Sequence, residues 1–240
     1  MSRPLIVVTG ASSGIGAATA HAFAEAGHPQ LLLARRLDRL QALGLPNALC
    51  RQVDVIDRDA FAAAIEEAEA TYGPVDCLVN NAGVMLLGLA DSQDPAEWRR
   101  MLDVNLGGLL NGIHLVLGRM KARRGGTIIN ISSIAGRKSF PNHAIYCGTK
   151  FAVHAITESI REEVADSDVR LITIAPGVTE TELLGHTTRQ EIIDGYQEWK
   201  RSIDGGIAAE DIARSIRFAY DQPQNVCIRE MVICPTRQGP

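Results

Sequence analysis

Short apolar runs alternate along the chain with longer amphipathic stretches. The runs predict buried strands at residues 5–9, 31–34, 48–53, 75–79, 127–131, 169–175 and 226–234. The amphipathic stretches predict helices at residues 17–26, 37–43, 60–72, 94–120 and 209–220, and a further helix from about residue 144. Strands that alternate with helices pair in parallel, because each crossover returns the chain to the same edge of the sheet. We therefore expect an α/β fold with a doubly wound, seven-stranded parallel sheet.

Glycines follow the first predicted strand in the spacing G-x-x-x-G-x-G and lead into a helix. Glycine lets the backbone turn tightly and lets a phosphate approach closely, and a helix N-terminus supplies free N–H donors. A plain glycine turn is the alternative, but the flanking strand and helix favour a dinucleotide diphosphate. The predicted binding residues in this turn are Gly10, Ser12, Ser13, Gly14, Ile15 and Gly16.

Polar residues also follow the next three predicted strands. Arg35 and Arg36 come where an NAD-binding protein usually carries an acid, and a guanidinium suits a 2′-phosphate. We therefore predict NADP(H) as cofactor, although a solvated basic pair would look the same. Asp54, next to Val55, could accept from an adenine amino group or simply cap a helix. The fourth strand ends in two asparagines, and we expect a structural role for at least one of them. The predicted cofactor contacts there are Asn81, Ala82 and Gly83.

A proton-transfer site is predicted around Tyr146 and Lys150. The two residues lie four apart at the start of a predicted helix and so share one face, and Ser133 follows the preceding strand. A nearby ammonium favours the phenolate, so Lys150 should lower the Tyr146 pKa. A structural tyrosine beside a surface lysine is the alternative for an isolated match. Asn105, within the long helix, is equally compatible with a catalytic role and with a packed amide.

The loop after the sixth strand completes the expected crevice. Pro176, Gly177 and Val178 end that strand sharply, and Thr181 could hydrogen-bond a cofactor amide. The polar segment at about 182–204 is expected to be mobile and to cover the substrate. Candidate pocket residues are Met85, Ile134, Phe140, His143, Val178 and Leu183.

Composition and net charge indicate which classes of partner the chain can bind. The chain of 240 residues is 46% hydrophobic and has a net charge of -4, which suits one globular domain and disfavours nucleic acid. The five scattered cysteines suit reduced thiols better than a zinc site. Uninterrupted apolar runs stay well below the roughly 20 residues that cross a membrane, and no signal-peptide pattern is present. We expect a cytoplasmic protein that acts on a small molecule.

Taken together, these motifs resemble the short-chain dehydrogenase/reductase family along essentially the whole chain. The resemblance rests on the glycine turn, Asn80-Asn81-Ala82-Gly83, Asn105, Ser133, Tyr146-x-x-x-Lys150 and Pro176-Gly177, in the family's order. It implies a Rossmann-type single domain and a catalytic tetrad of Asn105, Ser133, Tyr146 and Lys150. Tyr146 would be the acid/base, Lys150 would also hold the nicotinamide ribose, and Asn105 would hold a relay water. It also implies a homotetramer built partly through the Asn105 and Tyr146 helices.

Two further segments resemble one bacterial subgroup of that family. They are Leu-Leu-Leu-Ala-Arg-Arg at residues 31–36 and the final stretch at residues 226–236. The subgroup includes NADP-dependent 3-hydroxy acid dehydrogenases and NADPH-binding blue fluorescent proteins, and the chain looks most like the latter. The resemblance implies hydride transfer between NADP(H) and a carbonyl or secondary alcohol. The alternative that it implies is enhanced emission from bound NADPH, with or without turnover.

Overall fold

The structure is a computed structural model that describes residues 3–239. One seven-stranded sheet runs through the molecule in the order β3-β2-β1-β4-β5-β6-β7, and every neighbouring pair is parallel. The strands are β1 Leu5–Thr9, β2 Gln30–Ala34, β3 Ala48–Gln52, β4 Val75–Asn80, β5 Gly126–Ile131, β6 Val169–Pro176 and β7 Glu230–Ile233. The predicted doubly wound, single-domain fold is confirmed.

Helices connect successive strands. They are α1 Gly14–Glu25, α2 Leu37–Ala42, α3 Arg58–Tyr72, α4 Pro95–Leu102, α5 Leu109–Arg123, α6 Ala144–Glu163, α7 Gln190–Ser202 and α8 Ala209–Tyr220. Local signals set several of their starts. Asp57 caps α3 by accepting from Ala60 N at 3.0 Å, and Asp94 caps α4 just ahead of Pro95.

The core has two layers because side chains alternate across each strand. Leu5 and Val7 of β1 face α3, α5 and α6, whereas Ile6 and Val8 face α1 and α8. Each layer buries aliphatic residues from the central strands almost completely. This packing fixes where each strand ends, and the functional side chains follow those ends.

The helix predicted at residues 94–120 contains a π-helical turn at Asp103–Gly108, between α4 and α5. The turn inserts an extra residue beside the cleft, and such turns are common at functional sites. The combined run Pro95–Arg123 is long and apolar enough to cross a membrane by length and composition. The core helix of a soluble protein passes the same test, and one face of this run packs on the sheet.

The predicted last strand, at residues 226–234, is too long. Its partner β6 pairs only from Thr173↔Glu230 to Pro176↔Ile233, so β7 is four residues long. The preceding stretch turns instead, with Val226 N donating to Pro223 O at 2.8 Å. An edge strand has one neighbour, so its length is set by that neighbour and not by its own apolar pattern.

Candidate functional site

A large cleft opens at the carboxyl ends of the strands. It has a cavity volume of ≈ 980 Å³ and spans the point between β1 and β4 where the strand order reverses. This is the position at which open α/β sheets bind their ligands. The glycine turn lies at one end of the cleft, and Ser133, Tyr146 and Lys150 lie at the other.

The glycine turn is shaped by close backbone approach. Gly10 has φ +65°, and a Cβ there would lie 2.9 Å from Ala82 Cα. A Cβ at Gly16 would lie 2.3 Å from Gly10 O, so Gly16 lets α1 close onto the turn and does not itself line the cleft. Bulkier residues would push the turn away from the helix N-terminus that a phosphate would use.

Both asparagines after β4 are held by structural hydrogen bonds. Asn81 Nδ2 donates to Thr9 O at 2.9 Å and to Gly10 O at 3.2 Å, which ties the glycine turn to β4. Asn80 Nδ2 donates to Asn130 Oδ1 at 2.9 Å, and Asn130 Nδ2 donates to Thr157 Oγ1 at 2.9 Å. A structural role was expected for at least one of them, and both have one.

A basic corner adjoins the glycine turn. Arg36 Nη2 donates to Ser12 Oγ at 3.2 Å and to Ser13 Oγ at 3.0 Å. Arg35 also lines the cleft at this corner. Asp54 also lines the cleft and accepts from Ile56 N at 3.3 Å, while Asp57, not Asp54, caps α3. The corner can therefore hold an anion between guanidinium and hydroxyl donors.

Tyr146, Ser133 and Lys150 meet at the far end of the cleft. The Ser133 hydroxyl lies near enough to the Tyr146 oxygen to favour its phenolate, and Tyr146 is only 5% exposed. Ser133 Oγ itself donates to Pro176 O at 3.5 Å. Lys150 Nζ donates to Ile131 O at 2.9 Å and lies 5.8 Å from the centroid of the Tyr146 ring. Ser133 also caps the 3-10 turn Ile134–Gly136 by accepting from Ala135 N at 3.0 Å, so its position is fixed.

The prediction that Lys150 lowers the Tyr146 pKa is wrong for the free chain. Burial raises the pKa of Tyr146 well above its usual range, and the hydrogen bond from Ser133 offsets this only in part. Burial also lowers the pKa of Lys150 to about 8. Desolvation therefore outweighs the attraction between ammonium and phenolate, because both groups share one dry corner.

Asn105 does not line the cleft and is 3% exposed. Its Oδ1 accepts from Val84 N at 2.8 Å, and its Nδ2 donates to Val84 O at 3.0 Å and to Thr149 Oγ1 at 3.2 Å. The amide thus holds the loop that follows Gly83 against the π-helical turn. Its side chain matches the packed-amide alternative.

Residues after β6 and near the end of the chain form the cleft's remaining wall. Val178 N donates to Gln238 Oε1 at 2.9 Å, and a Cβ at Gly177 would lie 2.2 Å from that same oxygen. Thr181 Oγ1 accepts from Leu183 N at 3.4 Å, so it caps the turn that follows. Gln238 was missed by sequence reasoning, because no local pattern links it to a loop so far upstream.

The segment expected to be a mobile cover is largely helical. It contains the 3-10 turn Glu182–His186 and α7. An aromatic wall crosses the cleft here, with ring centroids 6.3 Å apart for His143–Tyr146, 6.4 Å for His143–Tyr196 and 5.5 Å for Tyr196–Trp199. Tyr196 and Trp199 look like a scattered apolar pair in the sequence, and only the folding of α7 places both along the cleft.

Apart from Gly16 and Asn105, every predicted site residue lines the cleft. The lining members are Gly10, Ser12, Ser13, Gly14, Ile15, Arg35, Arg36, Asp54, Val55, Asn81, Ala82, Gly83, Ser133, Tyr146, Lys150, Pro176, Gly177, Val178 and Thr181. The candidate pocket residues Met85, Ile134, Phe140, His143 and Leu183 line it as well. Within residues 3–239, no three His, Cys, Asp or Glu side chains are grouped to hold a metal ion.

The arrangement fits a dinucleotide along the cleft. The glycine turn gives room for a diphosphate, and the basic corner beside it offers donors to a further anion. The hydroxyl pair of Ser133 and Tyr146 lies at the other end of the same cleft. The cavity volume is within the range of cofactor sites.

Comparison with known proteins identifies the family. The family described as short chain dehydrogenase matches residues 4–192. An uncharacterised oxidoreductase of Staphylococcus saprophyticus is 39% identical, covering 98% of this chain and 97% of its own. Glycine betaine reductase of Emericella nidulans is 40% identical over 98% of this chain, which corresponds to 19% of that longer protein. A closed serine dehydrogenase structure complexed with NADP+ superimposes with a TM-score of 0.88 at 31% identity, over 98% and 96% of the two chains. The chain belongs to the short-chain dehydrogenase family.

Proposed function

We propose that the protein is an NADP(H)-dependent oxidoreductase that interconverts a carbonyl and a secondary alcohol. The observation that carries the proposal is the Ser133–Tyr146 hydroxyl pair, set beside Lys150 at one end of a dinucleotide-sized cleft. The cofactor would supply or accept the hydride at nicotinamide carbon 4. The chain's own residues would bind the substrate oxygen and move its proton.

Tyr146 suits the role of proton donor. Its raised pKa keeps the phenol protonated at neutral pH, so a proton is available at the hydroxyl when a substrate oxygen gains negative charge. Ser133 is fixed by its capping bond and can donate to the same oxygen. Lys150 would favour the phenolate that remains and would hold the nicotinamide ribose. Asn105 would fix the position of the π-helical turn, and the family resemblance also assigns it the relay water.

The basic corner supports NADP(H) as the cofactor. Arg36, already oriented by Ser12 and Ser13, offers a planar fork that matches phosphate geometry. Arg35 lines the same corner. The likeness to a serine dehydrogenase complexed with NADP+ supports this choice. The remaining predicted contacts would hold the diphosphate, adenine and nicotinamide along the cleft.

Replacing Tyr146 tests the mechanism. Tyr146→Phe should bind NADPH as the unmodified protein does, yet lose turnover by about 10²–10⁴-fold, because a positioned acid/base contributes that much. Tyr196→Phe is the matched control, since Tyr196 lines the same cleft but is not bonded to Ser133. Binding is measured by titration and turnover by NADPH absorbance. Undiminished turnover by Tyr146→Phe would refute the mechanism.

The substrate is proposed to be a small carbonyl compound that meets Tyr146 with an uncharged end. Burial lowers the pKa of His143 and outweighs the opposing hydrogen bond from its Nδ1 to Pro141 O at 2.6 Å, so the ring beside Tyr146 is neutral at pH 7. Arg189 and Lys200 also line the cleft and could meet an anionic group elsewhere on the substrate. The segment at about 182–204 would cover the bound substrate. A panel of aldehydes, ketones and 3-hydroxy acids, followed by NADPH absorbance, tests this class.

We also propose membership of the 3-hydroxy acid dehydrogenase-like subgroup, supported by the likeness to serine dehydrogenase. Emission from bound NADPH is a second candidate output. It rests on resemblance to the blue fluorescent proteins and on the aromatic cover that would shield a nicotinamide. NADPH emission measured with and without the protein tests it, and no gain or blue shift would contradict it.

A homotetramer is the proposed assembly. Leu102 and Leu110, on α4 and α5, are 46% and 44% exposed, and Phe151 on α6 is 43% exposed. These are the two helical regions through which the family resemblance implies contact between subunits. Large exposed apolar side chains on both regions support burial against a second copy.

A further inference from the structure

The basic corner already holds an anion that the chain itself supplies. Glu182 Oε2 lies 3.1 Å from Arg36 Nη1, and both Glu182 oxygens lie 2.8 Å from Arg39 Nη1. The other terminal nitrogen of Arg36 contacts Ser12 and Ser13. The carboxylate therefore occupies one edge of the guanidinium that the proposed function gives to a 2′-phosphate.

The backbone fixes Glu182 at this place. Thr181 packs on the glycine turn, since a Cβ at Gly14 would lie 3.0 Å from Thr181 Cγ2. Glu182 follows directly as the first residue of the 3-10 turn Glu182–His186, which precedes α7. Its side chain thus reaches from the covering segment to Arg36, just before α2, and to Arg39 within α2.

The Arg36 guanidinium cannot hydrogen-bond a carboxylate and a phosphate equally well at the same time. Arginine offers its donors in a fixed plane, and one carboxylate or phosphate fills an edge of that plane. A phosphate placed there would also be repelled by a carboxylate a few ångströms away. Arg39 is the second partner that Glu182 already has.

We propose that Glu182 is a built-in competitor of the cofactor's 2′-phosphate for Arg36, and that Arg39 alone holds the carboxylate once the phosphate is bound. Glu182 is then a specificity-determining residue, because it weakens binding only of ligands that carry the 2′-phosphate. The inference rests on the proposed NADP(H) dependence. It adds a residue of the covering segment to the recognition of the cofactor.

Binding of adenosine 2′,5′-bisphosphate and of adenosine 5′-monophosphate tests the proposal without any turnover. Glu182→Gln should tighten binding of the bisphosphate about fivefold, as expected for removal of an exposed charge, and should change the monophosphate less than about twofold. Glu191→Gln is the matched control, because Glu191 lines the same cleft and contacts Arg189, not Arg36 or Arg39. Calorimetry at fixed salt gives each dissociation constant.

Three results would overturn the proposal. The first is an unchanged dissociation constant for the bisphosphate in Glu182→Gln. The second is that Glu182→Gln tightens binding of both ligands equally, and the third is that Glu191→Gln tightens bisphosphate binding as much as Glu182→Gln does. The two dissociation constants of the wild-type protein show whether the competitor proposal or the cofactor assignment has failed. If it does not prefer the bisphosphate, the NADP(H) proposal fails. If it does prefer the bisphosphate but Glu182→Gln has no effect, only the proposal that Glu182 competes with the 2′-phosphate fails.

A double-mutant cycle tests the role of Arg39. Arg39→Gln should weaken bisphosphate binding, because Glu182 then pairs with Arg36 alone. The same change in the Glu182→Gln background should have a clearly smaller effect, since no carboxylate remains to be held. Equal effects in both backgrounds would show that Arg39 contacts the phosphate directly and would overturn its assigned role.

Discussion

Desolvation governs the two titratable residues at the reactive end of the cleft. Tyr146 and Lys150 are 5% and 7% exposed, and burial moves their pKa values in opposite directions, each towards the neutral form. The free chain therefore keeps a protonated phenol beside an amine that readily loses its proton. A negative charge brought into this corner would favour the ammonium again.

The lowered pKa of Lys150 predicts a pH-dependent stability. Between pH 7.5 and 9.5 the unfolded chain keeps the Lys150 proton while the folded chain loses it, so stability from this residue rises with pH. Relative to Lys150→Met, the free energy of unfolding of the unmodified protein should rise by roughly 1–2 kcal/mol across that interval. Urea denaturation of both proteins at several pH values measures it. Parallel curves would contradict a buried amine with a pKa of about 8.

At the scale of single elements, the alternation of apolar runs and amphipathic stretches was enough to place the buried strands. β1 begins and ends as predicted, because a strand buried on both faces is apolar throughout. The π-helical turn at Asp103–Gly108 was not predictable, since it depends on Asn105 bonding to Val84. The site residues near strand ends were predictable from topology, whereas Glu182, Tyr196 and Gln238 depend on contacts distant in sequence.

Two glycines of α5 give a matched prediction about how this helix meets the sheet. A Cβ at Gly112 would lie 2.4 Å from Asn80 Oδ1, which is locked by Asn130, whereas a Cβ at Gly118 would meet nothing within 4 Å. Gly112→Ala should lower the free energy of unfolding by about 1–3 kcal/mol through overpacking. Gly118→Ala should raise it by up to about 1 kcal/mol through helix propensity. Thermal denaturation of both variants measures these changes in stability. Equal effects of the two substitutions would contradict the tight α5–β4 contact.

At the scale of the whole molecule, the two core layers leave large apolar side chains uncovered on the outside of α4, α5 and α6. The sheet itself is covered on both faces, so these side chains are not needed for the core of one chain. Their exposure is the reason for proposing that further copies pack there.

Charging this outer surface should break the assembly. The double variant Leu110→Glu with Phe151→Glu should reduce the mass in solution from that of a tetramer to a dimer or monomer, because buried carboxylates without partners are strongly unfavourable. Lys121→Glu, on an exposed position of α5, is the control and should leave the mass unchanged. Light scattering after size-exclusion chromatography measures it. A monomeric unmodified protein would contradict the proposed tetramer.

The bond between Val178 and Gln238 spans 60 positions and joins the loop after β6 to the final stretch of the chain. Proteolytic trimming ahead of Gln238 would leave that amide without its partner while every strand of the sheet remained paired. Gly239 also lines the cleft, so a fusion tag joined to this stretch would begin beside the cleft wall. A purification tag at the N-terminal end would therefore disturb ligand titrations less.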